Sequence, residues 1–383
     1  MREVAILGVG QTPVREHWDI SLRALAVDAG RAALTDAGVD KVDAIYVSNM
    51  NSDRLNGQRH LGPLVADYLG QRGVEAVKLE AACGSAGSAM RQGLLAVASG
   101  EMERVLIIGV EKLTETPGRE TTAALATAAD ADYEVEHGIT FVGLNALIMR
   151  RYMHTYGYAH KDFAPFAVTA HTNAARNPNA LYRYAIDERE YERGRDVADP
   201  IRLYDASPIG DGAAALLLVP ADRAAGAVRV AGSASATDTV AVHDREDILW
   251  LRAAELSAAR AYAQAGVGPD DIDLFELHDA FSIMAALSLE ACGFAARGGG
   301  VRLGLDGGIA PGGCIPISTM GGLKARGHPV GATGLYQLVK ATLQLRGQAG
   351  SLQVPGARTA MTQNIGGSGA TIVTHILRQP NGG

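Results

Sequence analysis

One phrase of this sequence is written twice, and a chain made of two copies of one unit is bound to fold as two related halves. Arg260–Val267 (RAYAQAGV) echoes Arg31–Val39 (RAALTDAGV), and Ile272–Leu277 then echoes Val42–Val47. A second echo keeps the same order: Ala82–Gly87 (ACGSAG) opens one helix pattern and Gly327–Ala332 (GHPVGA) opens another. Helix ends rich in Ala and Gly resemble one another easily, so the shared order carries the argument for duplication. The two copies put Cys83 and His328 at equivalent helix starts.

Short apolar runs alternate with Ala-rich helical patterns, the signature of strand–helix–strand units around a buried sheet, so the class is α/β. Val4–Val9 reads as a strand. Ser21 starts a helix with Leu22, Leu25, Ala26, Ala29 and Ala33 on one face, and Gly38 ends it. Ala44–Val47 is the next strand. With 383 residues the chain exceeds a single core, and 47% apolar with 20% charged residues suits a globular protein. Charged, Tyr-rich, irregular sequence from Thr116 to Tyr204 interrupts the pattern and is expected to form a loop domain over the site. Gly212–Val219 then completes the first half. The expected division is 1–115 with 205–226 as the N-terminal half, 116–204 as the loop domain, and 227–383 as the C-terminal half.

The net charge of -7, without any Lys/Arg run, leaves no electrostatic footprint for nucleic acid or an anionic membrane. Apolar stretches such as Ala213–Val219 are far shorter than the roughly 20 residues of a membrane span. The strand pattern begins at Met1–Leu7, leaving no room for a signal peptide, and Gln379–Gly383 is not a peroxisomal address, so a cytoplasmic location is expected. Cys83, Cys292 and Cys314 are too few and scattered for a disulfide framework or a zinc site, and no metal is expected.

Four places carry chemistry. Cys83 sits where a strand hands over to a helix through small residues. The free N–H groups and partial positive charge of a helix start favour thiolate, so a lowered cysteine pKa is expected there. His328 is flanked by Gly327 and Pro329, which give open backbone approach and a fixed turn into the helix, and it suits a general base for the thiol. His278 leaves the carboxyl end of the strand Leu274–Leu277, where open α/β sheets bind ligands, and could donate to a developing oxyanion or enolate. Met361–Gly369 joins two strands through a glycine-rich turn whose N–H groups could complete an oxyanion hole. Of the other thiols, Cys314 could approach the site from its glycine-rich loop, although a packed thiol is the simpler account, and Cys292 reads as core.

With these residues in view the chain resembles the thiolase superfamily along nearly its whole length. Cys83, the Gly327-His328-Pro329 block, His278 after its strand, and Gly366 in the final turn match the family's four blocks, and Pro200–Ala215 resembles the stretch returning from its loop domain. The resemblance implies a five-layer α/β/α/β/α fold of two pseudo-twofold-related halves plus the inserted loop domain. It also implies dimers or tetramers, coenzyme A thioesters as substrates with no tightly bound cofactor, and a place in lipid metabolism. Cys83 would attack the acyl thioester, His328 would activate it, the N–H groups of Cys83 and Gly366 would hold the oxyanion, and His278 would stabilise the enolate. Degradative thiolases carry a second cysteine where this chain has Asn364, and sterol-carrier-type members carry one where it has Ala280. The pattern is closer to archaeal-type thiolases and to C-acyltransferases that work with a small zinc-ribbon/OB-fold partner. Asn364 then joins Gly366 as an expected oxyanion or substrate contact.

Three other readings compete. Gly8-Val9-Gly10 after a strand is a fragment of a dinucleotide fingerprint whose third glycine is replaced by Pro13. A non-catalytic acyl-CoA-binding subunit would not need Cys83, His278 and His328 together. Thiolase-like retro-aldolases typically dispense with the nucleophile that this chain has.

Overall fold

A computed structural model describes residues 2–379. Met1 and residues 380–383, on which the expectations about the chain ends partly rest, lie outside the described residues. The described residues form eleven strands: β1 (Val4–Gln11), β2 (Ala44–Ser48), β3 (Glu75–Leu79), β4 (Val105–Glu111), β5 (Asp196–Ala198), β6 (Ile201–Arg202), β7 (Gly212–Pro220), β8 (Val228–Thr237), β9 (Leu274–Glu276), β10 (Thr359–Gly366) and β11 (Thr371–Arg378). Nine of them make one sheet in the order β3-β2-β4-β7-β1-β8-β11-β10-β9. Four strands on each side of the β1/β8 junction correspond, and β3 is the extra outer strand of the first half. On one side β2 is parallel to β3 and β4, and β7 is antiparallel to β4 and β1; on the other β9 is parallel to β10, and β11 is antiparallel to β10 and β8. Ile317 bridges Phe275 in parallel at the outer edge, where β3 stands in the first half. The half-sheets meet only where Ala5 and Ile6 face Arg229 and Val228.

Strands buried on both faces explain why the sequence shows unbroken apolar runs rather than alternation. In β7, Ala213, Ala215, Leu217 and Val219 pack outward against Leu22, Leu25, Ala26 and Ala29 of the helix Leu22–Ala37. Ala214, Leu216 and Leu218 pack inward against Ala86 and Met90 of the helix Ser85–Ser99 and Leu335 and Leu338 of Thr333–Leu345. These two helices touch strands of both half-sheets and form the central layer, while Arg252–Ala265 covers the outside of β8 and β11. The layers are helix, sheet, helices, sheet, helix, with further helices and the β5/β6 hairpin between β4 and β7.

The duplication reaches into details. Both outer helices end on a left-handed glycine, Gly38 (φ 64°) and Gly266 (φ 65°). Both also press so closely on their strands that a side chain would collide: a Cβ at Gly8 or Gly10 would lie 2.2 or 2.3 Å from the carbonyl oxygens of Ala33 and Ala29, and one at Gly232 would lie 2.3 Å from that of Ala261. The Gly8-Val9-Gly10 fragment therefore serves helix-on-strand packing, which accounts for it without a nucleotide.

The stretch expected to be irregular is largely helical. It contains the helices Gly118–Ala126, Phe141–Tyr156, Ala164–Ala174 and Glu188–Glu192, and the β5/β6 hairpin. Leu144, Ile148, Met149 and Tyr152, spaced by three or four residues, bury one face of Phe141–Tyr156 in the core of the second half.

Candidate active site

Cys83 follows a strained turn. Ala82 has φ 52°, a conformation that costs a non-glycine residue about 1–3 kcal/mol. Three hydrogen bonds hold it: Gly84 N–H donates to Ala81 O (2.9 Å), and Ser85 Oγ accepts from Ala81 N–H (2.9 Å) while donating to Ala82 O (2.5 Å). The turn brings the half-buried Cys83 up to the first turn of Ser85–Ser99. Gly366, the last residue of β10, lies against this turn so closely that a Cβ on it would sit 2.5 Å from Ala81 O.

His328 enters from the other half. Its backbone N–H donates to Pro208 O (3.0 Å), and its Nδ1 meets Thr333 Oγ1 at 2.7 Å, which leaves Nε2 as its uncommitted nitrogen. Two residues on, Val330 has φ 24°, a conformation rare for a β-branched residue, so this turn is strained as well. His278 follows β9, and the two imidazoles meet edge to face with ring centres 5.1 Å apart. Cys83, His278 and His328 line one cavity of about 230 Å³, together with Leu125, Phe141, Val142, Ile209, Phe281, Met284 and Ile365. The returning stretch builds its wall, since Ser207 N–H donates to Ala280 O (2.8 Å) and Ile209 bridges His328. A larger surface groove of about 600 Å³, lined by Met50, Arg54, Arg59 and Lys78, has neither a cysteine nor a histidine among its lining residues.

Asn364 is placed differently from the expectation. Its Oδ1 accepts from Gly87 N–H (3.0 Å), while Nδ2 donates to Cys83 O (2.9 Å) and faces His278 Nδ1 at 3.3 Å. A backbone donor on one side and a backbone acceptor on the other fix which end of the amide is which. Both ends of the amide are thus hydrogen-bonded within the protein, to His278 and to the turn around Cys83, and Asn364 is not among the residues lining the cavity. As Nδ2 is a donor, His278 Nδ1 must accept and its proton sits on Nε2. Cys314 is exposed, its sulfur 3.8 Å from Gly308 O and outside the cavity, whereas Cys292 is buried at the end of the helix Ser282–Ala291.

Electrostatics correct a second expectation. Burial pushes the Cys83 thiol up to about 12, with the Glu111 and Glu80 carboxylates acting in the same direction and a backbone hydrogen bond opposing. Loss of water outweighs the partial charge of one helix start. Burial, then the Arg326 guanidinium, pushes His278 down to about 3, and burial, His278 and Arg326 hold His328 well below the ordinary range. The resting site is a neutral thiol beside two neutral imidazoles.

Glu111 was not visible as a site residue in the sequence. It closes the apolar strand β4, is fully buried, and its carboxylate accepts from Asn49 Nδ2, Met50 N–H and Asn51 N–H (each 2.9 Å) and from Gly331 N–H (3.0 Å). It thereby ties the strained turn after His328 to the first half. Burial raises it to about 7 against those backbone donors, so above neutral pH it is an anion that penalises a thiolate on Cys83. Glu111→Gln removes that penalty. Alkylation of the Cys83-containing peptide by iodoacetamide at pH 8 should become several-fold faster; an unchanged or slower rate would show that Glu111 acts on the turn alone.

Residues 4–222 match the family described as "Thiolase, N-terminal domain" and residues 234–379 match "Thiolase C-terminal domain-like". The chain is 44% identical to the acetyl-CoA acetyltransferase of Methanothermobacter thermautotrophicus, covering 98% of this chain and 100% of the relative. It is 33% identical to the benzoylsuccinyl-CoA thiolase subunit BbsB of Thauera aromatica, covering 96% and 95%. Among solved structures, the Ltp2-ChsH2(DUF35) aldolase superposes with a TM-score of 0.87 at 26% identity over 99% of this chain and 98% of that one. Human mitochondrial 3-ketoacyl-CoA thiolase in complex with CoA shares the fold, with a TM-score of 0.77 at 17% identity over 99% and 98%. No helix among the described residues is long and apolar enough to cross a membrane. The chain belongs to the thiolase family and is an acyltransferase of that family.

Proposed function

We propose that this enzyme moves an acyl group from coenzyme A to a carbon acceptor, or back to CoA, through a thioester on Cys83. The observation that carries the reading is the meeting of one cysteine and two imidazoles, drawn from both halves, in a single mostly apolar cavity. The identity to an acetyl-CoA acetyltransferase along the whole chain supports it.

In this reading a standing thiolate–imidazolium pair is disfavoured from both sides, so the proton passes from Cys83 Sγ to His328 Nε2 while the new S–C bond forms. The backbone N–H groups of Cys83 and Gly366 receive the oxyanion, and the CoA thiolate leaves with the proton that His328 returns. In the second half His328 takes the α-proton of the acceptor. His278 Nε2–H holds the enolate oxygen, and the enolate carbon attacks the acyl carbonyl and expels the Cys83 thiolate, which takes back the proton held on His328. A neutral His278 suits this role, since a donor fixed in one tautomer needs no reorganisation. CoA is a substrate here, and nothing in the scheme calls for a tightly bound cofactor.

Intact mass after incubation with acetyl-CoA should show one acetyl adduct that Cys83→Ser eliminates. No adduct on the folded wild-type enzyme would defeat the scheme. The likeness to the Ltp2-ChsH2(DUF35) aldolase supports a second reading, carbon–carbon cleavage of a CoA thioester, and the small zinc-ribbon/OB-fold partner raised by the family resemblance is part of the proposal. A nucleophile in the cavity favours acyl transfer over it. The homo-oligomer implied by the resemblance and the cytoplasmic location expected from the sequence are part of this proposal and are tested by solution mass and fractionation.

A further inference from the structure

The imidazole of His328 is held by a hydroxyl that serves nothing else. Thr333 Oγ1 lies 2.7 Å from His328 Nδ1 and makes no other hydrogen bond among the described residues. Thr333 is fully buried and is the first residue of the helix Thr333–Leu345. A threonine at a helix start ordinarily caps the free N–H groups of the first turn. Here the cap position belongs to Ala332 and no side chain caps the helix, so the hydroxyl goes to the imidazole instead.

The contact is fixed from both sides. One 3-10 turn, Val330–Ala332, closed by Ala332 N–H donating to Pro329 O (2.7 Å), brings the two residues face to face. A Cβ on Gly331 would lie 2.7 Å from Glu111 Oε2, and one on Gly334 would lie 2.3 Å from Asn364 Oδ1, so the helix start is wedged between the first half and Asn364. A neutral imidazole carries one proton, and the partner of one nitrogen decides which nitrogen holds it. A base needs its lone pair on the nitrogen that faces the thiol. With Nε2 uncommitted, the proton belongs on Nδ1 and Oγ1 must receive it. A hydroxyl can take that part without a charge, whereas a carboxylate in its place would favour the imidazolium.

Resting on the acyl-cysteine reading above, we infer that Thr333 is a positioning residue whose hydroxyl accepts the Nδ1 proton of His328 and so turns the Nε2 lone pair towards Cys83. The same hydrogen bond persists on the imidazolium that forms when Cys83 gives up its proton, so it serves both half-reactions.

The test uses the full-length enzyme and two readouts. The first is the NMR spectrum of protein labelled with heavy nitrogen in its histidines, with the His328 signals identified by their loss in His328→Gln. At neutral pH the wild type should show His328 protonated on Nδ1 and bare on Nε2. A proton on Nε2 would overturn the inference, and this measurement stands even if a Thr333 variant fails to fold. The second is the rate of acetyl adduct formation on Cys83, read by intact mass. Thr333→Val, which keeps the branched shape without the hydroxyl, should slow acylation at saturating acetyl-CoA by about 10-fold, the factor that corresponds to one hydrogen bond to a buried partner. The acetyl-CoA concentration giving half the maximal rate should stay the same. Thr333→Ser, which keeps the hydroxyl, should restore the rate. Acylation of Thr333→Val at the wild-type rate, or a Thr333→Ser enzyme as slow as Thr333→Val, would overturn the inference and leave the acyl-cysteine intact. Absence of any adduct on the wild type would overturn the underlying reading and this inference with it.

Discussion

His328→Ala should slow acylation of Cys83 by acetyl-CoA by about 10²–10⁴-fold, the range lost with a positioned general base. The thiol it serves is held near 12 by burial and by Glu111, so at neutral pH almost none of it ionises unaided. Without an acceptor for the proton, attack must wait for that rare thiolate. The same electrostatics fix the pH profile of the wild type. His328 works as a base only when neutral, and its ionisation lies well below the ordinary histidine value of 6.5 because burial, His278 and Arg326 all disfavour the cation. The acid limb of the acylation rate should therefore fall below the usual histidine range. A profile that instead dropped by half near 6.5 would mean that water reaches the imidazole in solution, and the scheme would lose its neutral resting state. Stopped-flow or quenched intact-mass measurements between pH 4.5 and 9 distinguish the two.

What could be read in the sequence, and what could not, divides along physical lines. The halves were legible because a buried sheet needs apolar runs and its covering helices need small residues at contact, so duplication survives as a repeated phrase around Arg31 and Arg260. Cys83, His278 and His328 stood out because each is a reactive side chain at a strand or helix junction where packing alone would not place one. Glu111 gave no such sign, since its partner Gly331 lies 220 residues away and only the fold brings them together. The helix Phe141–Tyr156 was hidden by composition: arginines and tyrosines around Leu144, Ile148 and Met149 mask a regular spacing. The thiol was misjudged because a helix start is visible in sequence, whereas the desolvation that opposes it depends on the whole cavity.

Asn364 faces His278 with its amide nitrogen, and that contact sets the other large effect. His278→Ala should leave the acetyl adduct on Cys83 intact yet depress carbon–carbon condensation by about 10²–10³-fold, the usual loss when one donor to a developing oxyanion is removed. That donor exists only because Asn364 Nδ2 faces His278 Nδ1 and leaves the proton on Nε2. Asn364→Asp replaces the amide donor with a carboxylate that can only accept. His278 must then carry its proton on Nδ1, and Nε2 turns its lone pair towards the enolate. The carboxylate would also lose its bond to Cys83 O, where two acceptors would now face each other. Condensation should fall in Asn364→Asp by as much as in His278→Ala, and combining the two should add little, because both remove the same hydrogen bond. Condensation rates and adduct mass measured on the same preparations decide the matter. If Asn364→Asp condenses normally, the tautomer argument fails. If His278→Ala instead abolishes the adduct, the two histidines have exchanged roles, and the imidazole opposite Thr333 is the one that steadies the enolate.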